Sequence, residues 1–190
     1  MRSPKQILLF ASGGGSNVAA ILRYFQDKSD FAFPLIVCNN PSAGVIDIAR
    51  KHGIDVLLLD KTKLNSELIV DTFDFYKPDL IVLAGFLLKI PDFVVRHYPD
   101  KIVNIHPSLL PKFGGKGMYG HHVHEAVVAH GETESGITIH LVNEHYDEGT
   151  VLLQKRTPIL PSDSAEDVAK KVLQLEHEWY AQVIESILKA

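Results

Sequence analysis

Residues 6–27 read QILLFASGGGSNVAAILRYFQD. Gln6 to Ala11 is almost wholly apolar, which is how a strand buried on both faces looks. Asn17 to Asp27 changes period, and Val18, Ile21, Leu22 and Phe25 fall on one face of a helix. Between them lies the glycine-rich turn Ser12-Gly13-Gly14-Gly15-Ser16-Asn17. Strand, tight turn and helix form the first unit of an α/β fold.

Outward from this unit the alternation continues. Pro34–Cys38, Asp55–Leu59, Leu80–Ala84 and Lys101–His106 read as further strands, short and rich in Ile, Leu and Val. Ala43–His52 and Ser66–Tyr76 read as helices, and Pro91 opens a short one ending near Tyr98. After His106 the pattern changes. A stretch with Gly114, Gly115, Gly117 and Gly120 reads as a mobile loop, followed by a helix over His122–His130. Gly136–Val142 alternates, with Ile137, Ile139 and Leu141 on one face and Thr138, His140 and Val142 on the other. Val151–Pro158 is close enough to pair with it as an antiparallel hairpin. Ser164 reads as the N-cap of a long final helix, Ala165–Leu188. The expectation is an α/β fold: one domain over residues 1–190, with a seven-stranded, mostly parallel sheet, helices on both faces and a C-terminal antiparallel hairpin.

Composition narrows the classes. With 190 residues the chain suits one domain with a substantial core. A net charge of −4 argues against holding nucleic acid by bulk electrostatics. The one cysteine, Cys38, lies in an apolar run and can form no intramolecular disulfide, which fits a reducing compartment. Arg2 and Lys5 precede an apolar run too short for a signal-peptide core, and no run approaches a membrane span. A cytoplasmic protein that binds no membrane is expected.

The first turn is chemically suggestive. Glycines let backbone approach a ligand closely, and the N–H groups opening the next helix favour an anion such as phosphate. The dinucleotide fingerprint fails, because Val18 stands where its third glycine belongs and the second strand runs into Asn39-Asn40 with no acid. The P-loop fails for want of Gly-Lys-Ser/Thr. The competing reading is a tight turn capped by Ser16 or Asn17, with no ligand.

Asn104-Ile105-His106-Pro107 ends the fifth strand. Residues two apart share a strand face, so Asn104 and His106 project together, at the edge where open parallel sheets bind ligands. The pair alone could equally cap nearby backbone.

Four stretches together resemble the folate-dependent formyltransferases. They are Asn104-x-His106-Pro107-Ser108-Leu109-Leu110-Pro111, Gly136-x-Thr138-x-His140-x-Val142, Asp147-x-Gly149 with Gln154, and the opening Ser12-Gly13-x-Gly15-Ser16-Asn17. They occur in order from the first strand almost to the final helix, and the opening one resembles the purine-synthesis branch. The resemblance implies a Rossmann-like catalytic domain that moves the formyl group of 10-formyltetrahydrofolate, a co-substrate, to the amine of 5'-phosphoribosylglycinamide. It implies Asn104, His106 and Asp147 as catalytic residues. Gly15, Ser16, Asn17 and Glu176 resemble the ribose-phosphate site. Phe86, Leu87, Leu88, Lys89 and Ile90 resemble the folate segment, completed by the Asn143, Glu144, His145 and Tyr146 loop. Members often show Gly-Phe-Met-Arg where this chain has Leu88 and then Lys89. The loop Phe113–His121 is longer than in familiar members, and its glycines and place suggest a lid with Lys116 near phosphate.

The chemistry requires no metal. His121, His122 and His124 cluster, but their spacing fits no standard zinc pattern and reads better as a helix start beside the cleft. Three other functions share some of these features. A methionyl-tRNA formyltransferase carries a second, RNA-contacting domain, whereas this chain ends one helix after the catalytic motifs and is acidic. A formyltetrahydrofolate deformylase usually carries an extra N-terminal domain, whereas here the first strand starts by Gln6. A non-catalytic module binding a phosphate ligand has no need of Asn104, His106 and Asp147 together. A monomer or homodimer acting on small molecules is expected.

Overall fold

The computed structural model describes residues 3–190, so Arg2 of the basic start lies outside the described residues. Seven strands form one sheet: β1 (Lys5–Phe10), β2 (Phe31–Cys38), β3 (Asp55–Leu58), β4 (Leu80–Leu83), β5 (Ile102–His106), β6 (Glu134–Leu141) and β7 (Val151–Pro158). Their order is β3-β2-β1-β4-β5-β6-β7. The pairs from β3 through β5 are parallel, and β5–β6 and β6–β7 are antiparallel. The alternation in the sequence therefore reads out as a mostly parallel sheet ending in a hairpin.

Side-chain alternation along the strands sorts the helices into two layers. Ile7, Leu9, Ile36, Val82, Val103 and Ile139 face one layer. It is built from α1 (Ser16–Phe25), α2 (Val45–His52), α6 (His121–Ala129) and α7 (Ala165–Lys189). Leu8, Phe10, Leu35, Val37, Ile81 and Ile102 face the other, built from α3 (Lys61–Leu64), α4 (Leu68–Phe75) and α5 (Asp92–His97). The Ser164 hydroxyl accepts from Asp167 N–H while the Asp167 carboxylate accepts from Ser164 N–H, a capping box that starts α7 where expected.

Two elements differ from the sequence reading by more than a shift of one or two residues at an end. The second strand begins at Phe31 rather than Pro34. Pro34 offers no N–H, and the β1–β2 ladder slips there: Gln6 pairs Ala32, but Leu8 pairs Leu35. The extra β2 residue is a bulge, the place where a strand tolerates proline. The expected helix over Ser66–Tyr76 starts at Leu68, and a separate short helix, α3, precedes it. The Asp60 carboxylate accepts from Lys63 N–H and caps α3, giving those residues a start of their own.

Candidate active site

Chain order reverses beside β1, because β2 lies on one side of it and β4 on the other. In such sheets the crevice beyond the carboxyl ends of the strands at this point is where ligands bind. A cleft of about 770 Å³ opens there. It passes over the edge of the sheet, from Asn17 and Glu176 on the α1/α7 side to Asn104, His106 and His140 on the opposite face.

Asn104 and His106 share a face of β5 with Ile102, and the antiparallel register sets Asn104 opposite His140 and His106 opposite Thr138. The His140 ring explains the set of Asn104. Its Nδ1 lies 3.0 Å from the Leu141 carbonyl, which only accepts, so Nδ1 carries a proton. Burial pushes the His140 imidazole below its ordinary pKa, the Leu141 carbonyl and Asp147 oppose that, and His106 adds to it. A neutral ring with its proton on Nδ1 has a lone pair on Nε2. Asn104 Nδ2 donates to that lone pair at 3.1 Å. One Asn104 amide proton is thus engaged and the other is left for the cleft.

His106 is buried, and its two ring nitrogens face two acceptors. Nε2 donates to the Phe113 carbonyl at 2.8 Å, and Nδ1 lies 3.6 Å from Asp147 Oδ2. Asp147 arrives on the loop between β6 and β7. Its φ of 57° is left-handed, a region aspartate tolerates better than most residues. Its Oδ2 accepts the Gly115 N–H at 2.8 Å, and its Oδ1 lies 3.7 Å from His140 Nε2. The loop folds tightly because Gly149 approaches the strand it leaves: a Cβ there would lie 1.7 Å from the Leu141 carbonyl oxygen. Beneath this group Thr138 Oγ donates to Ser108 O at 2.7 Å and accepts from Leu110 N–H and Gln154 Nε2, each at 3.0 Å. These bonds fix the segment after His106.

At the other end of the cleft Glu176 is buried, and burial raises its carboxyl above the ordinary range, against the Asn17 hydrogen bond that lowers it. Asn17 Nδ2 donates to Glu176 Oε2 at 2.8 Å, leaving Asn17 Oδ1 buried and unpartnered.

A formyl transferase family model matches residues 5–184. The chain belongs to the formyl transferase family. It is 43% identical over 189 residues to a chloroplastic phosphoribosylglycinamide formyltransferase of Vigna unguiculata, covering 96% of this chain and 61% of that protein. It is 34% identical to phosphoribosylglycinamide formyltransferase of Bacillus subtilis, covering 97% of this chain and 95% of that one. The chain thus spans less than two thirds of the plant relative but nearly all of the bacterial one. Among solved structures, glycinamide ribonucleotide transformylase 1 from Geobacillus kaustophilus superposes with a TM-score of 0.88 at 32% identity, covering 97% of this chain and 99% of that one.

In this formyl transferase the cleft gathers most of the residues singled out in the sequence. Asn104, His106 and Asp147 line its middle, Asn17 and Glu176 one end, and Phe86–Ile90 with Asn143, His145 and Tyr146 the other. Gly15, Ser16 and Glu144 do not line it. Gly15 turns toward α2 at φ 78°, where a Cβ would lie 2.8 Å from Val45 Cγ2, so packing alone demands glycine. Ser16 is exposed at the start of α1, and Glu144 reaches toward Arg96, 3.8 Å away. Lys116 and the Gly115–His121 stretch line the rim. His121 and His122 both lie near Glu125, at 3.6 and 3.4 Å. Among the described residues no three histidine, cysteine, aspartate or glutamate side chains are grouped to hold a metal ion, and no helix is long and apolar enough to cross a membrane.

Three cleft residues take on a role only in the folded chain. His140 stood in a quoted motif, but its tie to Asn104 depends on strand register. Ser12 reads in sequence only as part of the glycine turn. His124 reads in sequence as a helix-start residue, yet its ring is buried with Nδ1 unpartnered. Burial, with His121 and His106 nearby, pushes His124 down to a pKa of about 4.

Proposed function

We propose that this formyl transferase moves the formyl group of 10-formyltetrahydrofolate to the amine of 5'-phosphoribosylglycinamide, a step of de novo purine synthesis. The observation that carries the reading is the shape of the cleft. One continuous space joins a buried carboxyl group and a glycine turn at one end to an apolar wall at the other, with Asn104, His106 and Asp147 between them. The names of the relatives support the same reaction.

In this reading the ribose phosphate approaches the Gly15–Asn17 turn from the cleft wall that Gly13 and Asn17 form, with Glu176 on its hydroxyls. The folate lies between Phe86–Ile90 and the Asn143–Tyr146 loop. The amine attacks the formyl carbon, a C–N bond forms and the carbonyl oxygen becomes negative. The free Asn104 amide proton donates to that oxygen. Donors aimed at a developing oxyanion are worth ~2.7–4 kcal/mol each where they have been deleted. His106, set between the Phe113 carbonyl and the Asp147 carboxylate, has an acceptor for a proton on each nitrogen. When protonated it stabilises the oxyanion, the attacking nitrogen gives up a proton, and the folate nitrogen takes one up as its bond to the formyl carbon breaks. The amine is itself the nucleophile, so the route needs neither a covalent enzyme intermediate nor a metal. We further read the chain as one catalytic domain, cytoplasmic, acting as a monomer or homodimer on small molecules rather than on nucleic acid.

The test is release of tetrahydrofolate from 10-formyltetrahydrofolate, with and without phosphoribosylglycinamide. Release only with the amine present is the expected result. Release without it points to a hydrolase, and no release in either case removes the reading.

A further inference from the structure

One buried hydroxyl joins the ends of three neighbouring strands at the switch point. Ser12, 5% exposed, follows β1. Its hydroxyl donates to Asn39 Oδ1, just beyond β2, at 2.5 Å and accepts the Leu87 N–H, beyond β4, at 2.8 Å. Its own N–H donates to the Gly85 carbonyl at 3.0 Å. A serine hydroxyl has a single proton to give, and here that proton goes to Asn39 while a lone pair takes Leu87. Past Ala84, whose N–H still donates to Phe10, the chain leaves the sheet at Gly85 with a φ of 80°. The segment that follows is then held by the T-shaped packing of Phe86 with Phe10 and by Ser12.

We infer that Ser12 is a positioning residue whose hydroxyl sets the Leu87 backbone against the cleft, tying the folate wall to the turn that opens the phosphate end. The inference rests on the proposed placement of the two substrates. Without the hydroxyl the Leu87 N–H loses its acceptor, while the Ser12 N–H bond to Gly85 survives. The segment is then looser at Leu87 but keeps its origin. The effect falls on the substrate that touches this wall and spares the one at the other end.

Ser12→Ala, Ser12→Thr and Asn39→Ala are compared with the wild-type chain by amide hydrogen exchange and by steady-state kinetics. Ser12→Ala is expected to speed exchange at the Leu87 amide about tenfold, the scale of one lost hydrogen bond. It raises KM for 10-formyltetrahydrofolate by a similar factor and leaves KM for phosphoribosylglycinamide within about twofold. Ser12→Thr, which keeps the hydroxyl, restores both readouts. Asn39→Ala removes only the acceptor that aims the hydroxyl and gives a smaller change in the same direction. Equal rises in both KM values, or a lowered melting temperature with both unchanged, overturn the inference. If Ser12→Ala does not fold, unchanged Leu87 exchange in Asn39→Ala overturns it equally. If the wild-type chain transfers no formyl group, the proposed reaction fails. Leu87 exchange and tetrahydrofolate affinity, measured on the same variants, then decide the role of Ser12.

Discussion

Acid should loosen this protein through His124. The ring is 7% exposed on α6, Nδ1 has no partner, and the folded pKa is about 4 against an ordinary 6.5. Between these two values the unfolded chain binds a proton that the folded chain refuses. Stability therefore falls as pH drops through 6.5, and the loss is complete below about pH 4. Taken at full size, the shift removes about 2 kcal/mol between pH 7 and pH 5. The ring borders a cleft open to solvent, which screens part of this, so we expect about 1 kcal/mol. His140 and His177 are depressed by burial as well and add to the wild-type loss. Their share cancels when wild type is compared with His124→Gln. Urea unfolding at pH 7, 6 and 5 measures the difference, and the variant should lose about 1 kcal/mol less than wild type across that range. Parallel pH dependence of the two proteins, or an NMR titration of His124 near 6.5 in the folded chain, would refute the reasoning.

Four other outcomes are expected. Asp147→Asn keeps an oxygen for the Gly115 N–H but removes the charge beside His106, so kcat should fall about a hundredfold or more with the melting temperature little changed; near-normal turnover would contradict the mechanism. His140→Ala should lower kcat about tenfold with KM values held, because Asn104 loses the lone pair that orients it, and His140→Gln should recover part of the loss. Glu176→Gln should raise KM for phosphoribosylglycinamide and leave the folate KM alone, the reverse of the Ser12→Ala pattern. Tyr180→Phe should cost about 1–3 kcal/mol in denaturant unfolding with activity preserved, since it strips a buried hydroxyl from the Leu83 and Val103 carbonyls.

Much of the fold was legible because it is written in apolar spacing. A strand covered on both faces must be apolar throughout, and a surface helix must carry a stripe, so β1, β4 and α1 stand close to where the periodicity puts them. Pro34 and α3 were illegible for local reasons. A bulge depends on the register of a partner strand, and a four-residue helix is too short to show a period. The same division runs through the site. Asn104 and His106 could be paired from spacing alone, because two residues on one strand share a face. Asp147 could be placed only by resemblance, since its approach to His106 depends on how the β6–β7 loop folds back. The bond from Asn104 to His140 depends on antiparallel register, and that from Ser12 to Leu87 on strand order, neither of which is a property of any one segment.

The location of the site follows from what the helices leave uncovered. On the α3/α4/α5 side the apolar layer reaches β5 at Ile102 and includes no residue of β6 or β7. Beyond it the same sheet face carries Asn104, His106, Thr138 and His140, a polar interior where a helix would otherwise demand aliphatic side chains. Buried polar groups are tolerated when each has a partner. Here several partners come from two loop segments, residues 107–115 and 142–150, which supply Leu110 N–H, the Phe113 carbonyl and the Asp147 carboxylate, while Leu141 on β6 and Gln154 on β7 add others. The antiparallel pairing of β6 with β7 helps make this possible, because their connection, residues 142–150, folds back over the sheet without a helical crossover, while α6, in the longer β5–β6 connection, packs on the other layer. The parallel half of the sheet contributes the binding walls at its carboxyl edge, and the antiparallel half contributes the polar face on which the chemistry is proposed to occur.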